Sequence, residues 1–321
     1  MASPEDPLEV VVLCERNDLI ALFGPHVAAE APWIALRRPE EVNDPKAMRF
    51  ALGWLPSPER LRQFPNLELI CTIGAGADGL LRIPGLSETV KISRLVDDEQ
   101  ALMMAGFAAW QVVWHHRGMA RYLRQQREVV WDEFNKQPPS RMRIGILGYG
   151  RMGKAVAKTL GSMGYPLSAL VRKAGATHDE DLGVTLHAGA GGLRRIAAEC
   201  DMLINVLPLT AETEGLLCAD FFAIAKRGAY IVNLGRGPQL VEADLIAALD
   251  SGQLGGAALD VFDREPLPPE SPLWRHPKVL VTPHVASEAA DNRVLRFAAS
   301  EFERYLKGQP LRGLIDRSQG Y

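Results

Sequence analysis

Residues 142–172 constrain the fold of this chain more than any other stretch. Met142 to Leu147 is a short apolar run suited to a buried parallel strand. Gly148-Tyr149-Gly150-Arg151-Met152-Gly153 follows at once and spells G-x-G-x-x-G. Lys154 to Met163 then reads as a helix with Val156, Ala157 and Leu160 on one side, and Leu167 to Val171 is a second apolar run. Strand, glycine turn, helix and strand in this order suit a dinucleotide. The first glycine makes the tight turn, the second lets backbone approach a pyrophosphate, and the third lets helix pack on strand. The helix N-terminus adds free N–H groups and the positive end of its dipole. Gly148, Gly150, Arg151, Met152 and Gly153 are therefore the expected cofactor contacts. A glycine turn that only packs is the competing reading.

The 321 residues suit two domains of ordinary size. With 47% hydrophobic and 23% charged residues, the chain has ample core for them. A net charge of −3 gives no electrostatic footprint for nucleic acid or an anionic membrane. Met1 to Pro7 is acidic and lacks the apolar stretch of a signal peptide. The longest apolar segment, Ala101 to Trp114, contains Gln111 and is too short to span a bilayer. Cys14, Cys71, Cys200 and Cys218 are scattered with no C-x-x-C, which suggests neither zinc nor a disulfide framework. The expectation is a soluble cytoplasmic protein without a metal.

Strands alternate with helices along the whole chain. Leu8 to Leu13, Met48 to Leu52 and Leu67 to Ile73 read as strands, with helices from Asn17 to Phe23 and from Ser57-Pro58-Glu59 onward. Glu99 to Gly118 reads as a long buried helix. Residues 122–140 show little periodicity and read as an extended arm closed by Pro138-Pro139. Arg117, Arg121 and Arg124 suit either a solvated face or a contact with a partner subunit. Beyond the glycine turn, Val184 to Leu186, Met202 to Val206, Ala229 to Asn233, Ala257 to Leu259 and Val279 to Val281 supply further strands, and a last helix ends at Gly308. The expected fold is α/β with two doubly wound parallel-sheet domains. A Rossmann-like cofactor domain, 99–284, is inserted in a discontinuous, flavodoxin-like substrate domain of 1–98 and 285–321. The substrate cleft is expected between the two domains.

Several strand ends carry candidate chemistry. Gly74-Ala75-Gly76 follows a strand and can form either an anion-binding nest or an ordinary tight turn. Arg236 follows the strand ending at Asn233, Glu265 lies in the loop after Leu259-Asp260-Val261-Phe262, and His284 follows Thr282-Pro283. Each alone is weak, but a cation, a carboxylate and an imidazole beyond three strand ends of one sheet point to a site.

With these motifs the sequence resembles the D-isomer-specific 2-hydroxyacid dehydrogenases over essentially its whole length. The likeness rests on Gly148 to Gly153, Asn233 to Gly237, Leu259 to Phe262 with Glu265-Pro266-Leu267, and Thr282 to His284. Gly74 to Asp78, Arg264 to Trp274 and the tail Asp316 to Tyr321 point to the bacterial glyoxylate/hydroxypyruvate reductase A branch. The resemblance implies a homodimer whose 119–140 arm embraces the partner. It implies Arg236, Glu265 and His284 as the catalytic set, and Ala75 and Gly76 as carboxylate binders. It also implies Asp260 as a nicotinamide contact and Gly235, Leu207, Pro208 and Thr213 as cofactor contacts. Trp54 matches a tryptophan near the substrate, or else it is core. Gly106 stands where the branch usually has an acid.

Reduction of a 2-oxo acid needs a hydride at C2 and a proton on the carbonyl oxygen. An imidazole can give that proton near neutral pH. Glu265 would orient His284 and favour its protonated form, and Arg236 would bind the carboxylate and stabilise developing charge. For the cofactor, the second strand of the motif ends in Arg172-Lys173, with no acid until Asp179. An acid there would bind a ribose 2′-OH, whereas two cations would attract a 2′-phosphate, so NADP(H) is expected to be preferred with NAD(H) possible. Two solvated basic residues are the alternative. A bulkier 2-oxo acid as substrate, or a dinucleotide-sensing corepressor or scaffold, remain open as rivals. A phosphorylated substrate is disfavoured, because no cluster of arginine or lysine lies near Gly74 to Asp78.

Overall fold

The computed structural model describes residues 6–134 and 137–321. Residues 1–5 of the expected acidic N-terminus and residues 135–136 of the expected arm lie outside them. The chain divides into two compact units, one of residues up to Asp98 with Glu288–Tyr321, the other Glu99–Ser287.

The first unit holds five parallel strands, β1 (Leu8–Cys14), β2 (Ile34–Arg37), β3 (Phe50–Trp54), β4 (Leu69–Thr72) and β5 (Lys91–Ser93), in the order β2-β1-β3-β4-β5. That is the flavodoxin-like doubly wound order. Successive side chains leave the sheet on opposite faces. Val10, Val12, Phe50 and Leu52 pack on one face with Val294, Phe297 and Phe302, while Val11, Leu13, Ala51 and Ile70 pack on the other with Leu61 and Leu80. Residues 294–302 come from the helix Asp291–Leu306, so this core needs both ends of the unit's sequence. Glu301 is fully buried and ties them further. Its carboxylate accepts from the Ser93 hydroxyl at 2.6 Å, the Arg312 N–H at 3.0 Å and the Gly313 N–H at 3.2 Å.

The second unit holds β6 (Ile144–Leu147), β7 (Leu167–Val171), β8 (His178–Asp179), β9 (Val184–Ala188), β10 (Met202–Asn205), β11 (Ala229–Asn233), β12 (Leu254–Leu259) and β13 (Val279–Val281). Their order is β13-β12-β11-β10-β6-β7-β9-β8, all parallel except the short β8. The order reverses between β6 and β10, the switch point where open α/β sheets place ligands. Ile144, Ile146, Met202 and Ile204 face the helices Asp98–His116 and Arg151–Ser162, while Leu203, Ile231 and Leu259 face Gly189–Glu199, Ala219–Ile224 and Glu242–Asp250.

The segment expected as an extended arm begins instead as a helix, Met119–Glu128, bounded by left-handed Gly118 and Val129. Gln125 is its only buried residue, and its larger apolar residues, Met119, Tyr122 and Leu123, stop little more than one turn in, a short signal from which to read a helix. Arg121 pairs with Asp132 and lies 4.8 Å over the Phe134 ring, so it binds its own chain rather than standing as one more solvated cation. Strands β2, β5 and β8 are also additions to the sequence reading. They run for only 4, 3 and 2 residues, too few to register as alternation.

Candidate active site

The glycine turn leaves β6 at the switch point and enters the helix Arg151–Ser162. A Cβ on Gly153 would lie 1.9 Å from the Gly148 carbonyl oxygen, so only glycine lets the helix close on the turn. On Gly150 it would meet nothing within 4 Å, and the helix has no side-chain cap. An open turn with uncapped N–H groups fits a pyrophosphate. Met152 is half-buried against the core below, while Arg151 is exposed. Arg172 and Lys173 follow β7 and are both exposed. Sequence reasoning missed a contact here. Asp179 returns to accept from the Tyr149 hydroxyl at 3.0 Å, which holds its carboxyl below the usual carboxylate range. No local pattern links these residues, 30 apart in sequence. The segment after β10 is closed by Thr213, whose hydroxyl donates to the Pro208 carbonyl at 2.7 Å and accepts the Thr210 N–H at 2.9 Å.

Glu265 and His284 meet. His284 Nδ1 lies 2.9 Å from one Glu265 carboxylate oxygen, and the other oxygen accepts the Phe262 N–H at 3.1 Å. An ionised carboxylate only accepts, so Nδ1 carries the proton of this bond. Nε2 has no partner among the described residues. The imidazole is 40% exposed and its partner 24%, as a group that reaches a substrate must be. His284 also sits at φ 57°, a left-handed conformation that costs a residue with a Cβ about 1–3 kcal/mol. Asp260, buried at the end of β12, sustains it. Its carboxylate accepts from the Thr282 hydroxyl at 2.6 Å and from the N–H groups of Val285 at 3.0 Å and Ala286 at 2.9 Å. The resemblance gives Asp260 to the nicotinamide; what the structure shows is a clamp on the loop that bears the histidine.

Arg236 enters this arrangement through its neighbour. A Cβ on Gly237 would lie 1.8 Å from the Phe262 carbonyl carbon, so the arginine turn rests directly on the backbone that also anchors Glu265. The Arg236 Nη1 donates to the Gly235 carbonyl at 2.8 Å. Other histidines are structural. His115 is stacked on Tyr230 with centroids 4.1 Å apart, and burial pulls its pKa down to about 4. His116 is fixed between the Tyr165 hydroxyl at 2.8 Å and the Gln137 carbonyl at 2.9 Å.

In the first unit, Gly74, Ala75 and Gly76 form a half-buried bend after β4. The Trp54 ring lies against this bend, since a Cβ on Gly74 would come 3.1 Å from it, and its inner edge packs on the core. Trp54 thus touches both the Gly74 bend and the core. Among the described residues, no group of three or more His, Cys, Asp or Glu is placed to hold a metal ion. Nor is any helix among them long and apolar enough to cross a membrane.

A family model, "D-isomer specific 2-hydroxyacid dehydrogenase, NAD binding domain", matches residues 109–286. The chain belongs to this family. Glyoxylate/hydroxypyruvate reductase A of Salmonella typhi is 36% identical over 286 residues, covering 88% of this chain and 90% of that one. A D-isomer specific 2-hydroxyacid dehydrogenase of Xanthobacter autotrophicus Py2, solved with NADPH and MES, superposes with a TM-score of 0.90 at 35% identity, covering 97% of this chain and 99% of that one. The NADPH-dependent glyoxylate/hydroxypyruvate reductase of Sinorhizobium meliloti, solved with NADP and sulfate, gives 0.89 at 31% identity, covering 98% and 99%. Family membership makes the chain an NAD(P)-dependent oxidoreductase, with two parallel-sheet domains of the kind these relatives have. Gly106, the departure noted in the sequence, has open space where a Cβ would stand, so the missing acid leaves no packing fault.

Proposed function

We propose that this dehydrogenase reduces small 2-oxo acids, glyoxylate and hydroxypyruvate, to 2-hydroxy acids with NADPH. The observation that carries the reading is the 2.9 Å bond between His284 and Glu265, in a loop held by the buried Asp260. His284 gives a proton from Nε2 to the carbonyl oxygen, leaving an imidazole that Glu265 keeps oriented. Arg236 binds the substrate carboxylate and carbonyl oxygen and opposes the charge that develops there. When bound, the nicotinamide supplies the hydride. Ala75 and Gly76 give backbone N–H groups to the carboxylate, and Trp54 walls the substrate. Gly148, Gly150, Arg151, Met152, Gly153, Leu207, Pro208, Thr213, Gly235 and Asp260 are assigned to the cofactor. Steady-state assay of the purified protein with glyoxylate, hydroxypyruvate and a panel of larger 2-oxo acids tests the whole reading. A ranking led by a bulky oxo acid would overturn the substrate, and inactivity on every one would overturn the chemistry.

NADPH is chosen over NADH because Arg172 and Lys173 end β7 where an acid would otherwise receive the ribose hydroxyl. Two similar structures hold NADPH or NADP. Arg172→Ala should raise KM for NADPH by about 10-fold, the loss of roughly one charge-assisted bond of 1.5–3 kcal/mol. Its NADH kinetics should barely change, because NADH carries no 2′-phosphate. Equal efficiency of the wild type with both cofactors would refute the assignment.

Trp54→Ala should change the ratio of kcat/KM between two-carbon and larger substrates by about 10-fold, the usual effect of a pocket wall. A lower melting temperature with an unchanged ratio would make Trp54 core alone.

The partner we propose for this chain is a second copy. Leu102, Met103, Trp110, Leu123, Val129 and Trp131 are exposed on the second unit, Val129 and Trp131 at 92% each, and such apolar surface is usual at a subunit contact. We place the dimer in a reducing cytoplasm, which suits four free cysteines.

A further inference from the structure

Three side-chain amides lie fully buried beneath the arginine turn. Asn205, Asn233 and Gln239 have exposures of 1%, 0% and 0%. Gln239 uses its whole bonding capacity. Its Nε2 donates to the carbonyls of Leu207 at 3.2 Å and Pro208 at 3.0 Å, and its Oε1 accepts from Arg236 N–H and from Asn205 Nδ2, both at 2.8 Å. Asn205 donates also to Asn233 Oδ1 at 2.9 Å and accepts the Leu207 N–H at 3.2 Å. Asn233 accepts the Gly235 N–H at 3.3 Å and donates to the Arg236 carbonyl at 3.2 Å. Two stretches of backbone are thereby sewn together. Arg236 is held at its N–H by Gln239 and at its carbonyl by Asn233. Leu207 is held at its N–H by Asn205 and at its carbonyl by Gln239. The orientation of Gln239 is unique, since a reversed amide would turn N–H groups on N–H donors and oxygen on carbonyls.

We propose that Gln239 is a positioning residue for the reduction, setting the Arg236 guanidinium by tying its turn to the Leu207-Pro208 wall of the cofactor cleft. This rests on the roles proposed above for Arg236 and for residues 207–208. An amide is suited to the task because it alone offers two donors to the 207–208 backbone and two acceptor sites, here taken by the Arg236 N–H and the Asn205 amide. A hydrophobic residue of equal length would fill the space and leave the Leu207 carbonyl, the Arg236 N–H and an Asn205 N–H without these partners, and the Pro208 carbonyl with the Thr213 hydroxyl alone. Buried groups left so do not stay in place; the turn moves until they find water. A shift of about 1 Å at a substrate-binding group costs about 10² in rate.

Gln239→Met and Gln239→Glu test this. Gln239→Met is expected to lower kcat/KM for glyoxylate about 10²-fold, and to cause no further loss when added to Arg236→Ala, because groups acting as a unit are not additive. Gln239→Glu keeps the acceptors and, when ionised, loses both donors. Its activity relative to the wild type should therefore climb as pH falls and the new carboxyl takes a proton, a profile that general destabilisation does not produce. Hydrogen–deuterium exchange gives a readout independent of turnover, with both variants accelerating exchange in residues 205–210 and 233–240 together. Wild-type kcat/KM in Gln239→Met, an equal loss in the Arg236→Ala background, or a flat relative pH profile in Gln239→Glu would overturn the proposal. So would unchanged exchange in either segment, which decides the matter if Gln239→Met does not fold. A wild-type protein that reduces no 2-oxo acid, yet shows the coupled exchange, would sink the functional reading and leave the tie between the two segments standing.

Discussion

His284→Ala should lower kcat for glyoxylate reduction by roughly 10²–10⁴, the share a positioned proton donor supplies. The folded state should survive, because the imidazole is 40% exposed and its loop is held by Asp260 through backbone groups and Thr282 rather than through the ring. Glu265→Gln should fall between the variant and the wild type. The amide can still accept from Nδ1, so orientation is kept, but the charge that strengthens this bond is gone. A wild-type kcat in Glu265→Gln would show that His284 does not depend on Glu265.

Gly237→Ala should be nearly as damaging, although no side chain is removed. The added Cβ would stand 1.8 Å from the Phe262 carbonyl carbon and 1.9 Å from its oxygen. Neither atom can yield cheaply, because the Phe262 N–H is bound to Glu265. Residues 235–237 must therefore back away, taking Arg236 with them, for a loss in kcat/KM of at least about 10². NADPH affinity should change less, because Gly235 is the one assigned cofactor contact within the displaced stretch. A variant with wild-type kcat/KM would mean that Arg236 does not depend on this contact.

Much of this was legible in the sequence because the deciding signals are local. The glycine turn declares itself by spacing, and Arg236, Glu265 and His284 each sit a few residues beyond an apolar strand. The Glu265–His284 pair is 19 residues apart in sequence, yet strand-end logic brings it together because β12 and β13 are neighbours in the sheet. What remained hidden depends on long-range pairing. Nothing in the sequence places Tyr149 against Asp179, or Gln239 among two asparagines. Polar residues carry no periodicity that reveals which of them will be buried together. The helix Met119–Glu128 is hard to read for another reason, since its larger apolar residues end at Leu123 and leave no stripe along the rest. Asp260 was assigned one role from resemblance, and its clamp on 282–286 shows only in three dimensions.

The buried Glu301 has a consequence for how the protein is made. Translation delivers β1 to β5 well before the helix that completes their core and the carboxylate that receives Ser93. The intervening stretch, Glu99–Ser287, meanwhile carries its own sheet and both of its apolar layers. The order of maturation therefore inverts the order of synthesis. The middle of the chain can settle while the earliest strands wait, with Phe50 and Leu52 uncovered, for residues 291–315 to leave the ribosome. A ribosome stalled late in the message would release a molecule with its glycine turn formed and its opening strands still exposed to chaperones and proteases.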